Sequence, residues 1–364
     1  MKILIITTRD KRERYRFLSE PLAKIENVKI TLFRNDENIL NFIVKSLFYA
    51  VRNRDFNLIL VYGGDFKSLF WTFLARTVVK AKVICRLGGD PIVIRKKVIK
   101  TVLANHKFFR YVKLAINYFI TKILLRCIDG AVVVNKSLIV SLKKYTREGI
   151  PIAVIPQPIA VKERAENSFF TAKREEFHLL TVTNLSYRDK YEGVCMVIKN
   201  LSEEFKSNYG SARIVYDILG GGYYLEKLKK FLEKYTDLPD NLKINMHGYV
   251  ERTEPFYKNA DLFIYSSTVD ATPNVLLEAQ SYGLALLVNS YEPFYNILKE
   301  DVNALFFDDR AGVIFRSKFN ELLENKALRE RMGRNNLENI EKNYSIGAIA
   351  QKWESFLSKQ EIRK

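Results

Sequence analysis

The sequence predicts an α/β protein of two doubly wound domains in tandem. Short β-rich apolar runs alternate with longer helical patterns, the alternation restarts midway, and a polar stretch separates the two series. The chain has 364 residues, 48% hydrophobic and 13% aromatic, enough for two cores and unlike a disordered composition.

The first series places strands at residues 2–7, 28–33, 57–62, 82–86, 131–135 and 152–155. Its opening run, Lys2-Ile3-Leu4-Ile5-Ile6-Thr7, is apolar without alternation, as in a strand covered on both faces. Polar residues over 162–176 mark the boundary. The second series places strands at 178–183, 213–219, 242–247, 261–265 and 284–289, with helices at 225–235, 273–282 and through much of 312–357. The expected domains are therefore Rossmann-like units over 1–160 and 175–343, with a last helix over 344–364 packing back towards the first. Ligands of such folds bind at the carboxyl ends of the strands, here expected in the cleft between the domains.

Charge separates the halves. Residues 1–150 hold 30 Lys and Arg against 11 Asp and Glu, and residues 151–364 hold 29 against 30. The first half is therefore expected to face something anionic. Between Asp90 and Asp129 there is no acid, while Arg95, Lys96, Lys97, Lys100, Lys107, Arg110, Lys113, Lys122 and Arg126 are basic. His106, Arg110, Lys113, Asn117 and Thr121 form one polar helical stripe, and Phe108, Val112, Ala115, Phe119 and Ile123 lie on the other side. The apolar side is expected to pack inwards, with the basic side solvated or against an anionic leaflet. No nucleic-acid-binding motif is present, so no nucleic-acid partner is expected. Cys85, Cys127 and Cys195 share no short spacing, which excludes a disulfide framework or zinc site and fits a reducing cytosol. The opening apolar run is too short for a signal peptide, and no stretch reaches the roughly 18 apolar residues of a membrane span. The expected location is the cytoplasm, peripheral on the inner face of the cell membrane.

The chemistry concentrates in the run from Ser266 to Ala279, where a buried strand leads into a helix. Thr272 reads as the N-cap and Pro273 as the first helical residue. The amides that follow, at Asn274, Val275 and Leu276, would offer a seat for a diphosphate. Glu278 lies roughly 9 Å further along the axis than Thr272, within reach of a ribose whose diol a carboxylate accepts bidentately. Asp270 stands at the opposite end, where a transferred sugar would sit. The alternative is a strand–loop–helix with two incidental acids. A second segment, Thr183-Asn184-Leu185-Ser186-Tyr187-Arg188-Asp189-Lys190, sets Lys190 at a helix start as a point charge for phosphate or, alternatively, as a surface lysine.

Together these residues resemble family 4 of the retaining glycosyltransferases, which have the GT-B fold. The resemblance rests on an acid, seven residues and Glu (Asp270 and Glu278) in a Pro273-Asn274-Val275 frame followed by Ala279 and Gly283. Leu219-Gly220-Gly221-Gly222, His247-Gly248-Tyr249-Val250, Val154-Ile155-Pro156, Met332-Gly333-Arg334 and Tyr344-Ser345 match in the expected order. It implies a hexosyltransferase drawing on a UDP- or GDP-sugar, with a glycan or lipid-linked acceptor, in cell-envelope polysaccharide or glycolipid biosynthesis. Glu278 would bind the ribose, Asp270 the donor sugar hydroxyls and Lys190 the diphosphate. Asn184, Ser186, Gly248, Tyr249, Val250, Thr272, Pro273, Asn274, Val275 and Leu276 would complete the donor site. Retention would proceed by front-side displacement, the leaving phosphate taking the acceptor's proton. No Asp-x-Asp triplet is present, so neither a metal nor any other cofactor is expected.

Two departures stand out. The first acid is Asp rather than the commoner Glu, and Asn184 occupies a position often Arg in the family, a loss met either by Arg188 or by donor phosphates that rest more on the helix. Arg9, Arg86, Gly88, Gly89 and Asp90 end candidate strands and are expected on the acceptor side; the alternative makes the charged ones solvated turn residues. Another GT-B enzyme, such as a nucleotide-sugar epimerase, would need an acid and His pattern that is not evident.

Overall fold

The chain opens on β1 (Lys2–Thr7), whose continuous apolar run is buried after its first residue, because helices cover both faces of its sheet. The structure is a computed structural model that describes residues 1–8, 16–34, 38–104, 108–162, 176–207, 213–235, 238–270, 272–308 and 312–360. Arg9, Ala271, His106 and most of the polar boundary lie outside the described residues.

In the first unit β1 is followed by α1 (Arg16–Ala23), β2 (Lys29–Arg34), α2 (Ile39–Arg52), β3 (Leu58–Tyr62), α3 (Phe66–Val78) and β4 (Lys82–Leu87). Then come α4 (Pro91–Ala104), α5 (Phe108–Leu125), β5 (Gly130–Val133), α6 (Ser137–Lys143) and β6 (Ile152–Val154). The strands pair parallel in the order β2-β1-β3-β4-β5-β6. One face of the sheet (Ile3, Ile5, Leu58, Leu60, Tyr62, Ile84, Val132) packs on Leu18 and Leu22 of α1. Ile349, Trp353, Phe356 and Leu357 of the C-terminal helix, Ile346–Ser358, complete that core. On the other face Thr72 of α3 meets Cys85 of β4, Oγ1 to Sγ 3.4 Å.

The second unit runs β7 (Glu176–Val182), α7 (Arg188–Ser207), β8 (Arg213–Leu219), α8 (Leu225–Lys234), β9 (Leu242–Gly248), α9 (Glu254–Asn259), β10 (Leu262–Tyr265) and α10 (Asn274–Ser281). It continues with β11 (Ala285–Asn289), β12 (Leu305–Phe307), α11 (Gly312–Glu324) and α12 (Lys326–Tyr344), before the C-terminal helix α13 (Ile346–Ser358). Its parallel order is β12-β11-β10-β7-β8-β9, the doubly wound order in which the chain leaves β7 in one direction and returns to extend the sheet in the other. By contacts the chain divides into Met1–Pro158 with Tyr344–Lys364, and Ile159–Asn343.

One expectation is reversed. On α5 the side carrying Val112, Ile116, Phe119 and Ile123 is exposed, Phe119 by 63%. The polar residues Asn117 and Thr121 turn inwards instead, and Thr121 is fully buried. Their polar atoms find partners there: Thr121 Oγ1 donates to the Asn117 carbonyl (2.7 Å) and Arg95 Nε to Asn117 Oδ1 (3.4 Å). Arg95 also donates to the Gly64 carbonyl (3.2 Å) and is thus no solvated charge. Leu124 and Leu125 complete the buried side. A second exposed apolar row, Leu40, Val44 and Phe48, runs along α2. Among the described residues no helix is long and apolar enough to cross a membrane.

Candidate active site at the switch point of the second sheet

β7 has β8 on one side and β10 on the other, so the sheet changes direction between β7 and β10, where doubly wound proteins open a crevice. The segments leaving these two strands are the ones the sequence singles out. α7 buries Val194, Val197, Ile198, Leu201 and Phe205, which lays its first turn over the strand ends. Gly193 permits the approach, since a Cβ there would stand 2.8 Å from the Ser266 carbonyl oxygen.

This close packing brings Lys190 Nζ to 2.9 Å from Asp270 Oδ2. The same oxygen accepts from Tyr265 Oη (2.6 Å) and Ser267 Oγ (2.8 Å). Lys190 is buried, so the ion pair is shielded on the lysine side. Burial, and then the Asp270 charge, hold the Tyr265 phenol well above its usual range, so it stays protonated and donating. Ser267 is fixed in turn: its amide donates to Asn289 Oδ1 (2.9 Å), and Asn289 Nδ2 donates back to its carbonyl (3.3 Å). A second link, from Thr268 Oγ1 to Asp189 Oδ2 (2.7 Å), joins the same two segments.

The loop after β7 is held from below by the turn after β8. Gly220 has φ 154°, and a Cβ on it would fall 1.8 Å from the Thr183 carbonyl oxygen, so no larger residue fits. Asn184 Oδ1 accepts from the Ser186 amide (3.0 Å), closing its own turn. Arg188 is exposed and pairs with Glu192 one helical turn on, at 2.6 Å. Gly248 adopts φ 67°, and Tyr249 beside it is 80% exposed; Val250 follows.

Glu278 lies on α10 and accepts from Tyr257 Oη at 3.0 Å, rather than bonding the Lys190–Asp270 pair. Tyr257 is buried and stacked on Tyr282, centroids 5.2 Å apart. Burial raises the Glu278 pKa, partly offset by the Tyr257 hydrogen bond and the charge of Lys162. The helix start is shifted from the sequence expectation. Pro273, not Thr272, is the N-cap, because Pro273 keeps an extended ψ of 122° and the helix begins at Asn274. Pro273 itself carries no side-chain group that could cap it. Tyr265, Ser267 and Tyr257 were not singled out by sequence.

In the first unit Asp90 caps α4, accepting from the amides of Ile92 (2.8 Å) and Val93 (2.9 Å). Gly88 and Gly89 lead into that cap. Arg86 is not a solvated turn residue: it lies within β4 and is 1% exposed. A cavity of about 640 Å³ between α7 and α11, lined by Tyr191, Cys195, Phe231 and Arg316 among others, shares no residue with the Lys190 cluster.

Known proteins resemble the chain in sequence and in fold. It is 27% identical over 162 residues to an uncharacterized glycosyltransferase of Methanocaldococcus jannaschii, covering 43% of this chain and 39% of that protein. It is 25% identical over 132 residues to the lipopolysaccharide core biosynthesis glycosyltransferase LpsE of Rhizobium meliloti, covering 36% of this chain and 38% of that one. The chain thus matches about two fifths of the length of these curated relatives. The Anabaena protein HepE, solved in complex with UDP, superposes with a TM-score of 0.69 at 14% identity, covering 99% of this chain and 100% of that one. The architecture is that of the GT-B fold, two Rossmann-like α/β units. Residues 163–339, which hold the Lys190–Asp270 pair and Glu278, match the family of the glycosyl transferases group 1.

Proposed function

We propose that the chain transfers a sugar from a UDP- or GDP-sugar to a glycan or lipid-linked acceptor, with retention and without a metal ion. The observation that carries this reading is the Lys190–Asp270 pair at the switch point, where the chain leads into the start of α10. A helix start favours an anion, and buried Lys190 adds a cation shielded from water. On donor binding, Lys190 neutralises the diphosphate and stabilises charge developing on the leaving phosphate. Asp270 accepts from donor sugar hydroxyls, and Glu278 from the ribose. Tyr249, with its ring exposed, is placed to stack on the base. The UDP held by HepE supports the uridine form. The test is a panel of nucleotide sugars read by thermal shift and turnover, with and without excess EDTA. One nucleotide sugar should stabilise the protein and turn over in EDTA. Activity abolished by EDTA and restored by Mg²⁺ or Mn²⁺ defeats the metal-free mechanism.

The exposed apolar rows on α5 and α2, within the strongly basic first half, support attachment to an anionic membrane leaflet. Burying a Phe or Ile side chain contributes about 1.5–3 kcal/mol, and each nearby Lys or Arg about 1 kcal/mol. Sedimentation with anionic vesicles should fall as salt rises, and Phe119→Ser with Ile123→Ser should weaken it without altering donor affinity. Equal binding of wild type and double variant removes α5 from the contact.

A further inference from the structure

Arg86 lies in β4, between β3 and β5 in the middle of the first sheet. Strand alternation puts its side chain on the face of Ile84, the face packed by α1 and α13. It is 1% exposed, and Nε, Nη1 and Nη2 are buried with no hydrogen-bond partner. Its neighbour is the Tyr62 ring, whose centroid lies 5.7 Å from Cζ. A desolvated cation–π contact returns roughly 2 kcal/mol, whereas burying the charge costs several. Deprotonation gives no escape, because a guanidinium stays charged in proteins. The carboxylates at the neighbouring strand and helix ends have other work. Asp65 caps α3 through the Ser68 amide (3.0 Å), Asp90 caps α4, and Asp129 pairs with Arg76 and Arg147, each at 3.3 Å.

An apolar residue at position 86 would fill the site without that cost, so the guanidinium is useful only with an anion brought to it. We propose that Arg86 binds an oxyanion, a phosphate or carboxylate group carried by the acceptor, and so selects an anionic acceptor. The planar fork suits bidentate capture of either group. Gly88, two residues further on, is exposed, and a Cβ there would meet nothing within 4 Å, which leaves room for an approach past the strand end. The acceptor assignment rests on the glycosyltransferase reading above; the anion site itself does not.

The experiment uses the full chain and small probes at constant ionic strength. Inorganic phosphate and acetate, each against chloride, are titrated into wild type, Arg86→Met and Arg86→Lys, with and without saturating UDP or GDP. Thermal midpoint and calorimetry give the response. Wild type should be stabilised by at least one oxyanion, additively with UDP. Arg86→Met should weaken that affinity at least about tenfold, the loss of a charge-assisted pair, and Arg86→Lys should retain part of it. Arg86→Met should also unfold at a higher temperature than ligand-free wild type, since it removes an unpaired buried charge. The stronger of the phosphate and acetate responses names the acceptor's group. An equal anion response in wild type and Arg86→Met, no response in either, or an Arg86→Met protein destabilised without ligand overturns the proposal. UDP and GDP binding are read in the same titrations. The absence of both beside an Arg86-dependent anion response defeats the glycosyltransferase reading and leaves the anion site standing.

Discussion

Lys190 at a helix start in the second unit and Arg86 within a strand of the first are both buried cations, and the chain treats them in opposite ways. Lys190 meets Asp270, whose oxygen is in turn fixed by Tyr265 and Ser267. Arg86 meets an aromatic ring and makes no hydrogen bond. A cation with its own counter-ion is held in place before any ligand arrives, so its field is preorganised for charge that develops later. A cation without one costs stability until a ligand completes it. The first arrangement suits catalysis, the second suits selection.

Removing Lys190 tests the first half of that contrast with the largest effect. Its charge matters more in the transition state than in the ground state, so Lys190→Ala should lower the turnover number by at least about 100-fold, with a smaller loss of donor affinity. Steady-state kinetics with the identified donor decides it. Near-normal turnover would make the pair a structural ion pair and nothing more.

Asp270→Asn makes Lys190 resemble Arg86, a buried cation with no countercharge. Breaking a fully buried pair costs about 3–5 kcal/mol. Asp270 is 24% exposed on its side chain, so water screens part of the charge and a loss of about 1–3 kcal/mol is expected. A diphosphate replaces the missing anion, so UDP should raise the melting temperature of Asp270→Asn more than that of wild type. Equal UDP shifts would separate Lys190 from the phosphate site.

The same contrast shows what the sequence disclosed. β1 and β8 match their expected bounds: β1 is a continuous apolar run between polar ends, and β8 is stopped by the glycines at 220–222. The three residues of β12 are too few to show any period. Lys190 and Asp270 were legible from their positions after strands, but Tyr257 as the partner of Glu278 was not. That bond spans 21 residues between two helices, and no local spacing encodes it. On α5 polarity does not mean outwardness: Asn117 and Thr121 satisfy their polar atoms inside and leave Phe119 and Ile123 facing out. For Arg86 only the solvated-turn alternative falls by the same rule, and the unbroken apolar run Val83-Ile84-Cys85 before it already indicates a covered strand.

Glu278, half-buried on α10, sharpens the comparison from the anionic side. It has one hydroxyl donor, from Tyr257, and Lys162 at longer range, so it is less compensated than Asp270. Glu278→Ala should weaken donor binding by about 1–3 kcal/mol, the loss of a hydrogen-bonded charged group, while the fold survives. The pH dependence separates binding from stability. Burial raises the folded pKa of Glu278, so the folded state takes up its proton at a higher pH than the unfolded chain. The stability this proton brings is complete below the unfolded value and is lost as pH rises through the folded one. Donor binding runs the other way, because only the carboxylate accepts both ribose hydroxyls. Acidification through the raised pKa should therefore stabilise the protein through this group while it weakens the donor. Glu278→Gln, which still accepts from Tyr257, should melt slightly higher than wild type at neutral pH. It should also flatten the acid limb of donor affinity. Calorimetric titrations of wild type and Glu278→Gln across the acid range measure both. A wild-type donor affinity that stays level through that limb, matched by Glu278→Gln, would remove the carboxylate from the ribose and leave its hydrogen bond to Tyr257 as a link between α9 and α10.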